Sequence, residues 1–194
     1  MPLEVGAGAG GHQPAALAIV GCGEKLTVLP SVSMSNSPSA PTNGAAASVG
    51  SFAELGRRIL DGEVQPPPIA RSVGFQVVDV GPGRAVFELD TDLERHANPM
   101  GTLHGGILCD LADAAMGFAY ASTLDAGDTF TTLELKINFL RPVWQTRLVA
   151  TARVVQVGRT VGLLECDMVD AQQRLVARAS STCMTLRGAA AHGR

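Results

Sequence analysis

The chain has 194 residues, of which 46% are hydrophobic and 17% charged, and its formal net charge at pH 7 is -3. This composition predicts a single globular domain. No nucleic-acid partner is expected, because no basic stripe is present. No membrane span is expected either, because no apolar run approaches a length of about 18 residues. The four cysteines, Cys22, Cys109, Cys166 and Cys183, are widely spaced, so we expect reduced thiols in a cytoplasmic protein rather than a zinc site or a disulfide framework.

The first fifty residues differ in composition from the rest of the chain. They are rich in Gly, Ala, Ser and Pro and have few aromatic or charged residues. Such a segment cannot bury enough apolar area to offset the entropy of ordering, so residues 1–50 are predicted to be disordered. The apolar run 15–20 before Cys22 is similar to a lipoprotein processing site. It is short and no Lys or Arg precedes it, so export is not expected.

A short helix and a hairpin are predicted next. Ser51 resembles an N-cap, and the apolar residues that follow it predict an amphipathic helix that ends at Asp61 and Gly62. Three prolines at 66–68 predict an extended connection. Residues 75–80 and 84–89 are rich in β-formers and are separated by Gly-Pro-Gly, which predicts a β-hairpin.

The most informative stretch, residues 96–117, reads HANPMGTLHGGILCDLADAAMG. Its turn formers predict an ordered loop up to Gly105 and Gly106, where a helix begins. Residues 107–123 are mostly Ala, Leu and Met with almost no polar face, which indicates a helix buried on most sides. Asp110 and Asp113 are the exceptions, since carboxylates are seldom buried unless they are paired or used.

The start of this helix has the layout of an oxyanion hole. Free backbone N–H groups and the positive end of the macrodipole favour an anionic group there. Two glycines remove the Cβ atoms that would keep a carbonyl away. Asp113 is eight residues further along, a rise of about 12 Å, so one group cannot touch both Gly105 and Asp113 of one chain. A site that uses both residues therefore requires a second subunit.

The second half of the chain predicts four strands. After a turn at 125–128, residues 131–141 alternate strictly, with one face predicted to be covered (Leu133, Leu135, Ile137, Phe139) and the other polar (Thr132, Glu134, Lys136, Asn138). Residues 147–157, 161–169 and 174–186 are further strands, and their short links predict antiparallel neighbours. The predicted fold is α+β, with one antiparallel sheet wrapped around one long central helix.

Three features together resemble a known family. They are the motif N-x-x-G-x-x-H-G-G at 98–106, Asp113, and the strand TTLELKINFLRP at 131–142. With the strand order, they make residues 52–187 similar to the hotdog-fold acyl-CoA thioesterases, of the phenylacetate-pathway and four-hydroxybenzoyl-CoA types. The resemblance implies a hotdog domain over 51–187, followed by a flexible C-terminus, 188–194. It also implies a homodimer, or a tetramer of two dimers, with one continuous sheet and the active sites between subunits.

The resemblance also implies roles for individual residues. The Gly105 N–H would polarise the thioester carbonyl, His104 would shape the loop, and Asn98 would position the water or the carbonyl. From the other chain, Asp113 would act as general base or nucleophile, and Thr132 would hold the water. A carboxylate and preorganised N–H donors suffice for thioester hydrolysis, so no cofactor or metal is expected.

Substrate-binding residues are implied less directly. Arg141 and Arg159 match positions where relatives meet the nucleotide or pantetheine, although solvated strand ends are an equally good interpretation of both. Binding roles are also implied for Gly106, Glu134, Gly158 and Thr160. For the acyl group, we expect Leu108, Met116 and Phe130 to line an apolar pocket, which predicts an aromatic or medium-chain acyl-CoA.

Other interpretations remain at this stage. A hotdog dehydratase or hydratase would share the fold, as would a non-catalytic acyl-CoA-binding protein, and fold alone does not separate these functions. A metal site formed by His96, His104 and Asp110 is not favoured, because the two histidines lack the one-face helical spacing of zinc enzymes. His96 is otherwise expected to be a loop residue and Asp110 a helix or interface residue. Met100 and Met116 are expected to fill the core.

Overall fold

The computed structural model describes residues 52–191. The predicted disordered tail, the N-cap candidate Ser51 and residues 192–194 lie outside this range. The elements before the central helix are α1 (Phe52–Leu60), α2 (Pro68–Val73), β1 (Gln76–Gly81), β2 (Arg84–Asp90) and α3 (Leu93–His96). The central helix α4 (Gly105–Ala121) is followed by β3 (Thr129–Phe139), β4 (Arg147–Val157), β5 (Val161–Asp170), β6 (Leu175–Leu186) and a 3-10 turn (Gly188–Ala191).

The six strands of the described range form one sheet in the order β1-β2-β4-β5-β6-β3. The short links predicted from the sequence produce the hairpins β1–β2, β4–β5 and β5–β6. The pairs β2–β4 and β3–β6 join strands that are distant in the chain, and all pairs are antiparallel. Every strand of this sheet contacts α4, which confirms the predicted α+β fold of one sheet wrapped around one helix. The strands β1 and β3 are its edges.

The central helix is the core of the fold. It begins at Gly105, as predicted, and is apolar nearly all round. Most of its side chains are therefore buried against the sheet (Leu108, Leu111, Ala112, Ala115, Met116, Ala119, Tyr120, Ala121). Among the helices of residues 52–191, none has both the length and the apolarity that a bilayer span requires.

The helix α4 and the edge strand β3 run in opposite directions. The Phe139 ring, at the end of β3, lies beside Gly105, the first residue of α4, where an added Cβ would be 2.9 Å from Cζ. Further back along the strand, Thr132 reaches Asp113, in the middle of the helix. Because of this antiparallel placement, the two predicted catalytic positions of α4, Gly105 and Asp113, both lie along β3. The other side of β3 is an open edge of the sheet.

The strand β3 contains a β-bulge that the sequence pattern does not predict. Its pairing with β6 is regular up to Thr132 and resumes one residue beyond Leu133. A bulge residue is unpaired and reverses the inward and outward alternation. Leu133 and Phe139 are 53% and 54% exposed, whereas Leu135 and Ile137 pack against the core. The predicted covered face is therefore wrong in part, and Thr132, predicted on the opposite face, points to α4.

The helix α2 corrects a second prediction. The prolines at 66–68 were expected to extend the chain, but Pro68 is instead the first residue of α2. Proline is favoured at this position because its missing N–H would have no helical partner. Gly74 ends the helix in the left-handed region, with φ of 94°. The helix α2 therefore fits the pattern of proline at the start and glycine just past the end.

Candidate active site

The loop before α4 is held by the side chain of Asn98. The Asn98 Oδ1 accepts hydrogen bonds from the backbone N–H groups of Met100 (2.9 Å) and Thr102 (3.2 Å), and Nδ2 donates to the Thr102 Oγ1 (2.9 Å). The ordered loop is as predicted, and Asn98 is committed to closing it. Met100, predicted to fill the core, is 82% exposed at the tip of this loop, so that prediction is wrong.

His104 is the N-cap of α4. Its backbone is extended, and its Nδ1 accepts a 2.9 Å hydrogen bond from the Gly106 N–H. An accepting Nδ1 places the proton of the neutral ring on Nε2. Because Gly106 is occupied in this way, the donor that remains at the positive end of the helix is the Gly105 N–H, for which residues 52–191 provide no hydrogen-bond partner.

The two glycines also have a packing role. An added Cβ at Gly105 would lie 2.9 Å from the Phe139 ring, and one at Gly106 would lie 2.8 Å from the Nδ1 of His104. Either contact is closer than real Cβ atoms approach their neighbours. A Cβ at either position would displace a neighbouring ring, so glycine at 105 and 106 serves local packing as well as access to the Gly105 N–H.

Asp113 is exposed on α4, eight residues from Gly105. Its Oδ1 accepts a 3.0 Å hydrogen bond from the Thr132 Oγ1. No residue in 52–191 donates to Oδ2, so one carboxylate oxygen is held and the other is available to a water molecule. The structure thus brings together Asp113 and Thr132 in one chain, and keeps both about 12 Å along the helix from the Gly105 N–H.

A cleft of about 250 Å³ opens beside Asp113. Thr132 and Asp110 also line its polar end, and Gln76 is the remaining polar residue of its lining. The rest is apolar and comes from α1, α2, β1, β2, α4 and β3, with four aromatic rings (Phe75, Phe87, Phe118, Phe130). The arrangement is a carboxylate at one end of an apolar pocket, which is how small-molecule sites are usually built.

The predicted pocket residues are only partly correct. Phe130 lines the cleft. Leu108 and Met116 are buried to within a few per cent in the core instead and take no part in the lining. The residues of α4 that line the cleft are Asp110, Asp113, Ala114, Gly117 and Phe118. The helical pattern alone does not distinguish the two sets, because α4 is apolar nearly all round.

Asp110 is a site residue that the sequence analysis did not assign. It lines the cleft one helical turn before Asp113. Burial, and then the negative charge of Asp113, raise the pKa of its carboxyl above the usual value. The spacing of three residues places Asp110 and Asp113 on one face of the helix, and this was the available signal.

The predicted CoA-binding arginines lie at opposite ends of β3. Arg141 lies two residues beyond the end of β3, and its N–H donates to the Val176 O at the start of β6. Arg159 lies in the β4–β5 turn, beside Thr160, whose O accepts from the Thr185 N–H near the end of β6. The eleven residues of β3 span roughly 33 Å. A single chain therefore does not bring Arg141 and Arg159 together.

The other predicted binding residues are spread in the same way. Gly158 and Thr160 flank Arg159 in the β4–β5 turn, and all three are exposed. The Glu134 side chain is exposed on β3, just beyond the bulge, while its backbone O accepts a 2.7 Å hydrogen bond from the Ser181 Oγ. Glu134, Gly158, Arg159 and Thr160 take no part in lining the cleft, whose polar end is formed by Asp110, Asp113 and Thr132.

His96 corrects a further prediction, because it is not an exposed loop residue. It is the last residue of α3 and only 4% exposed. Its Nδ1 accepts from the Asp92 N–H (3.2 Å), and its backbone O accepts from the His104 N–H (2.8 Å). Through this backbone hydrogen bond, His96 helps to fix the position of His104, the N-cap residue of α4. Within the described range, no group of three His, Cys, Asp or Glu residues is placed to hold a metal ion.

Comparison with known proteins agrees with this geometry. Residues 100–177 match the model of the Thioesterase superfamily. The protein SSO2140 of Saccharolobus solfataricus is 34% identical over 119 residues, 61% of this chain and 84% of that protein. The 1,4-dihydroxy-2-naphthoyl-CoA hydrolase of Listeria monocytogenes is 27% identical over 108 residues, 56% of this chain and 87% of that enzyme.

A solved structure shows the same fold. The PaaI protein from the phenylacetic acid degradation operon of E. coli superposes with a TM-score of 0.62 at 26% identity, over 71% of this chain and 98% of that chain. The family match begins at Met100, so it includes the N-cap His104, Gly105, Asp113 and Thr132. The chain therefore belongs to the thioesterase superfamily and is a thioester hydrolase with the hotdog fold.

Proposed function

We propose that this enzyme hydrolyses aromatic or medium-chain acyl-CoA thioesters to the free acid and CoA, with Asp113 as the general base. The observation that carries the proposal is the hydrogen bond between Thr132 and Asp113 at the carboxylate end of an apolar cleft. The bond holds Oδ1 of Asp113 in place. An uncharged acyl group can bind in the apolar cleft, next to Oδ2. The names of the relatives support the CoA moiety, since one is a naphthoyl-CoA hydrolase.

In the proposed reaction, Asp113 Oδ2 accepts a proton from a water molecule as the water oxygen attacks the thioester carbon. The carbonyl oxygen becomes negative, and it is stabilised by the Gly105 N–H at the positive end of α4. The C–S bond then breaks and CoA leaves as a thiolate. A thiolate is a good leaving group, so the reaction requires no metal. Direct attack by Asp113 on the carbon, to form an anhydride, is the alternative.

If Gly105 and Asp113 act on one thioester, the helix geometry requires that two chains share the site. The Gly105 N–H and the Asp113 carboxylate of one chain are about 12 Å apart along α4, too far to act on one carbonyl. A two-fold related copy can supply the second group. The strand β3 is suited to such pairing, because it is an open edge of the sheet with exposed apolar side chains at Leu133 and Phe139. We therefore propose a homodimer, or a tetramer built from two such dimers.

The same arrangement accounts for the two arginines. Arg141 follows the end of β3 that lies beside Gly105, whereas Arg159 lies at the opposite end of the strand. A site formed with Gly105 from one chain and Asp113 from the other can take one arginine from each. We propose that these exposed guanidinium groups bind the phosphates of CoA, assisted by the turn residues Gly158 and Thr160.

Release of free thiol from a panel of acyl- and aryl-CoA substrates tests this function directly. We expect turnover with benzoyl-, phenylacetyl- and medium-chain acyl-CoA. A dehydratase or hydratase would instead change the absorbance of an enoyl-CoA without releasing thiol. An acyl-CoA-binding protein would bind the same panel and release none. After a single turnover in H₂¹⁸O, ¹⁸O in the Asp113 carboxylate would show the anhydride route with water attack on the Asp113 carbon, since general-base catalysis places ¹⁸O in the product acid alone.

A further inference from the structure

We propose that Gly117 sets the acyl specificity of the cleft, which takes uncharged acyl groups that are bulky close to the thioester carbon. This inference rests on the proposed hydrolysis. Gly117 lies four residues after Asp113 on α4, about 6 Å along the helix, and both line the cleft. The group at position 117 therefore determines the space available for the first few carbons beyond the reacting carbonyl.

The Phe130 ring of β3 occupies the space beside Gly117 where a side chain would otherwise lie. An added Cβ at Gly117 would lie 3.1 Å from the Phe130 Cζ, so the ring would have to shift by a few tenths of an ångström. The ring also makes an edge contact with Tyr120, three residues after Gly117 on α4, with centroids 5.7 Å apart. Tyr120 is itself buried, and its hydroxyl is hydrogen-bonded to Thr185 at 2.7 Å. A side chain at 117 would therefore narrow the cleft beside Asp113.

The opposite wall of the cleft is equally constrained. The Phe87 ring of β2 makes edge contacts with Phe75 (6.0 Å) and with Phe118 of α4 (5.3 Å). The helix α1 closes over this wall, and its Gly56 packs so tightly that an added Cβ would be 2.8 Å from Val80. The two walls come from β2 and β3, which are separated by three strands in the sheet, and both strands pack against α4.

The charge and size of the cleft define the acyl group. Its lining has two carboxylates, Asp110 and Asp113, and no cationic side chain. An anionic acyl group would find no counter-charge there and would be repelled. A cavity of about 150 Å³ with apolar walls is known to hold benzene. The cleft, at about 250 Å³, has room for a ring and several further carbon atoms.

The test compares two uncharged acyl groups with seven carbons each, cyclohexanecarbonyl-CoA and heptanoyl-CoA. The measured quantity is the ratio of the two kcat/KM values, cyclic over linear. The fraction of folded enzyme in a preparation affects both values equally and cancels in this ratio. We expect Gly117→Ala to lower this ratio at least about tenfold, the usual worth of one methylene in an apolar pocket. The matched control is Gly81→Ala, where an added Cβ meets nothing within 4 Å. Its ratio should equal that of the wild type.

A second variant keeps the test decisive if Gly117→Ala fails to fold. Phe130→Leu removes the ring without adding atoms to α4, and it should raise the cyclic-over-linear ratio. Ratios that stay within about twofold of the wild type in the folded variants would overturn the role of Gly117. A wild type that cleaves neither thioester, nor any other acyl-CoA, would overturn the proposed hydrolysis itself.

Discussion

The Oγ1 of Thr132 donates a 3.0 Å hydrogen bond to the Oδ1 of Asp113, across nineteen positions of sequence. The bond exists because a bulge at Leu133 changes the alternation of β3 and turns Thr132 toward α4. Without the bulge, Thr132 would follow the polar, outward face of the strand. The bulge thus fixes the carboxylate that the proposed reaction uses, at the edge of the sheet where a second chain can approach.

Replacement of this carboxylate is the first prediction. Asp113→Asn should lower kcat by a factor on the order of 100 to 10,000, the usual worth of a general base, with little change in folding. Steady-state kinetics and thermal melting measure the two effects. A matched control is Asp125→Asn, an exposed carboxylate in the turn after α4, which should leave kcat unchanged. Wild-type turnover in Asp113→Asn would show that another group activates the water.

The Gly105 N–H can be removed by a matched pair of variants. Gly105→Pro deletes the donor, and proline is tolerated at the first helical position, after an extended residue such as His104. Gly105→Ala adds a similar Cβ against the Phe139 ring but keeps the N–H. We expect kcat of the proline variant to be about 100- to 1,000-fold below that of the alanine variant, the worth of one oxyanion donor. Equal kcat values would exclude this N–H from catalysis.

The half-buried carboxyl of Asp110 should make stability depend on pH. Its pKa is raised in the folded protein, so the folded state holds this proton more tightly than the unfolded state. Stability is therefore lost as the pH rises through the folded pKa, which lies above the usual value of a carboxyl group. Asp110→Asn removes this loss. Its melting temperature should rise relative to the wild type as the pH is raised from below the usual carboxyl pKa to neutrality, and a constant difference over this rise would contradict the assignment.

The parts of the fold that follow from local periodicity were predictable. The apolar run of α4, the hairpin signals and the alternation in the last three strands each depend on residues close in sequence. The positions of Gly105 and Asp113 follow in turn, because helical rise is constant. The resemblance supplied Thr132, which the alternation alone had placed on the wrong face.

The remaining features depend on contacts between distant segments. The bulge at Leu133 is decided by pairing with β6, and no turn residue marks it. Part of the cleft lining comes from α1 and α2, some fifty residues before Asp113, and the prolines at 66–68 did not predict α2. Leu108 and Met116 could not be separated from true pocket residues, since a helix that is apolar nearly all round gives no sign of which side faces a cavity.

The shared site is the central claim, and a mixed dimer tests it most directly. Gly105→Pro and Asp113→Asn chains, each inactive and carrying different tags, are unfolded, mixed and refolded, and the dimer with both tags is purified. If each site takes Gly105 from one chain and Asp113 from the other, one site of the mixed dimer carries both changes and the other carries neither. The account predicts about half of the wild-type activity per dimer. A mixed dimer as inactive as its parents would show that each chain builds its own complete site.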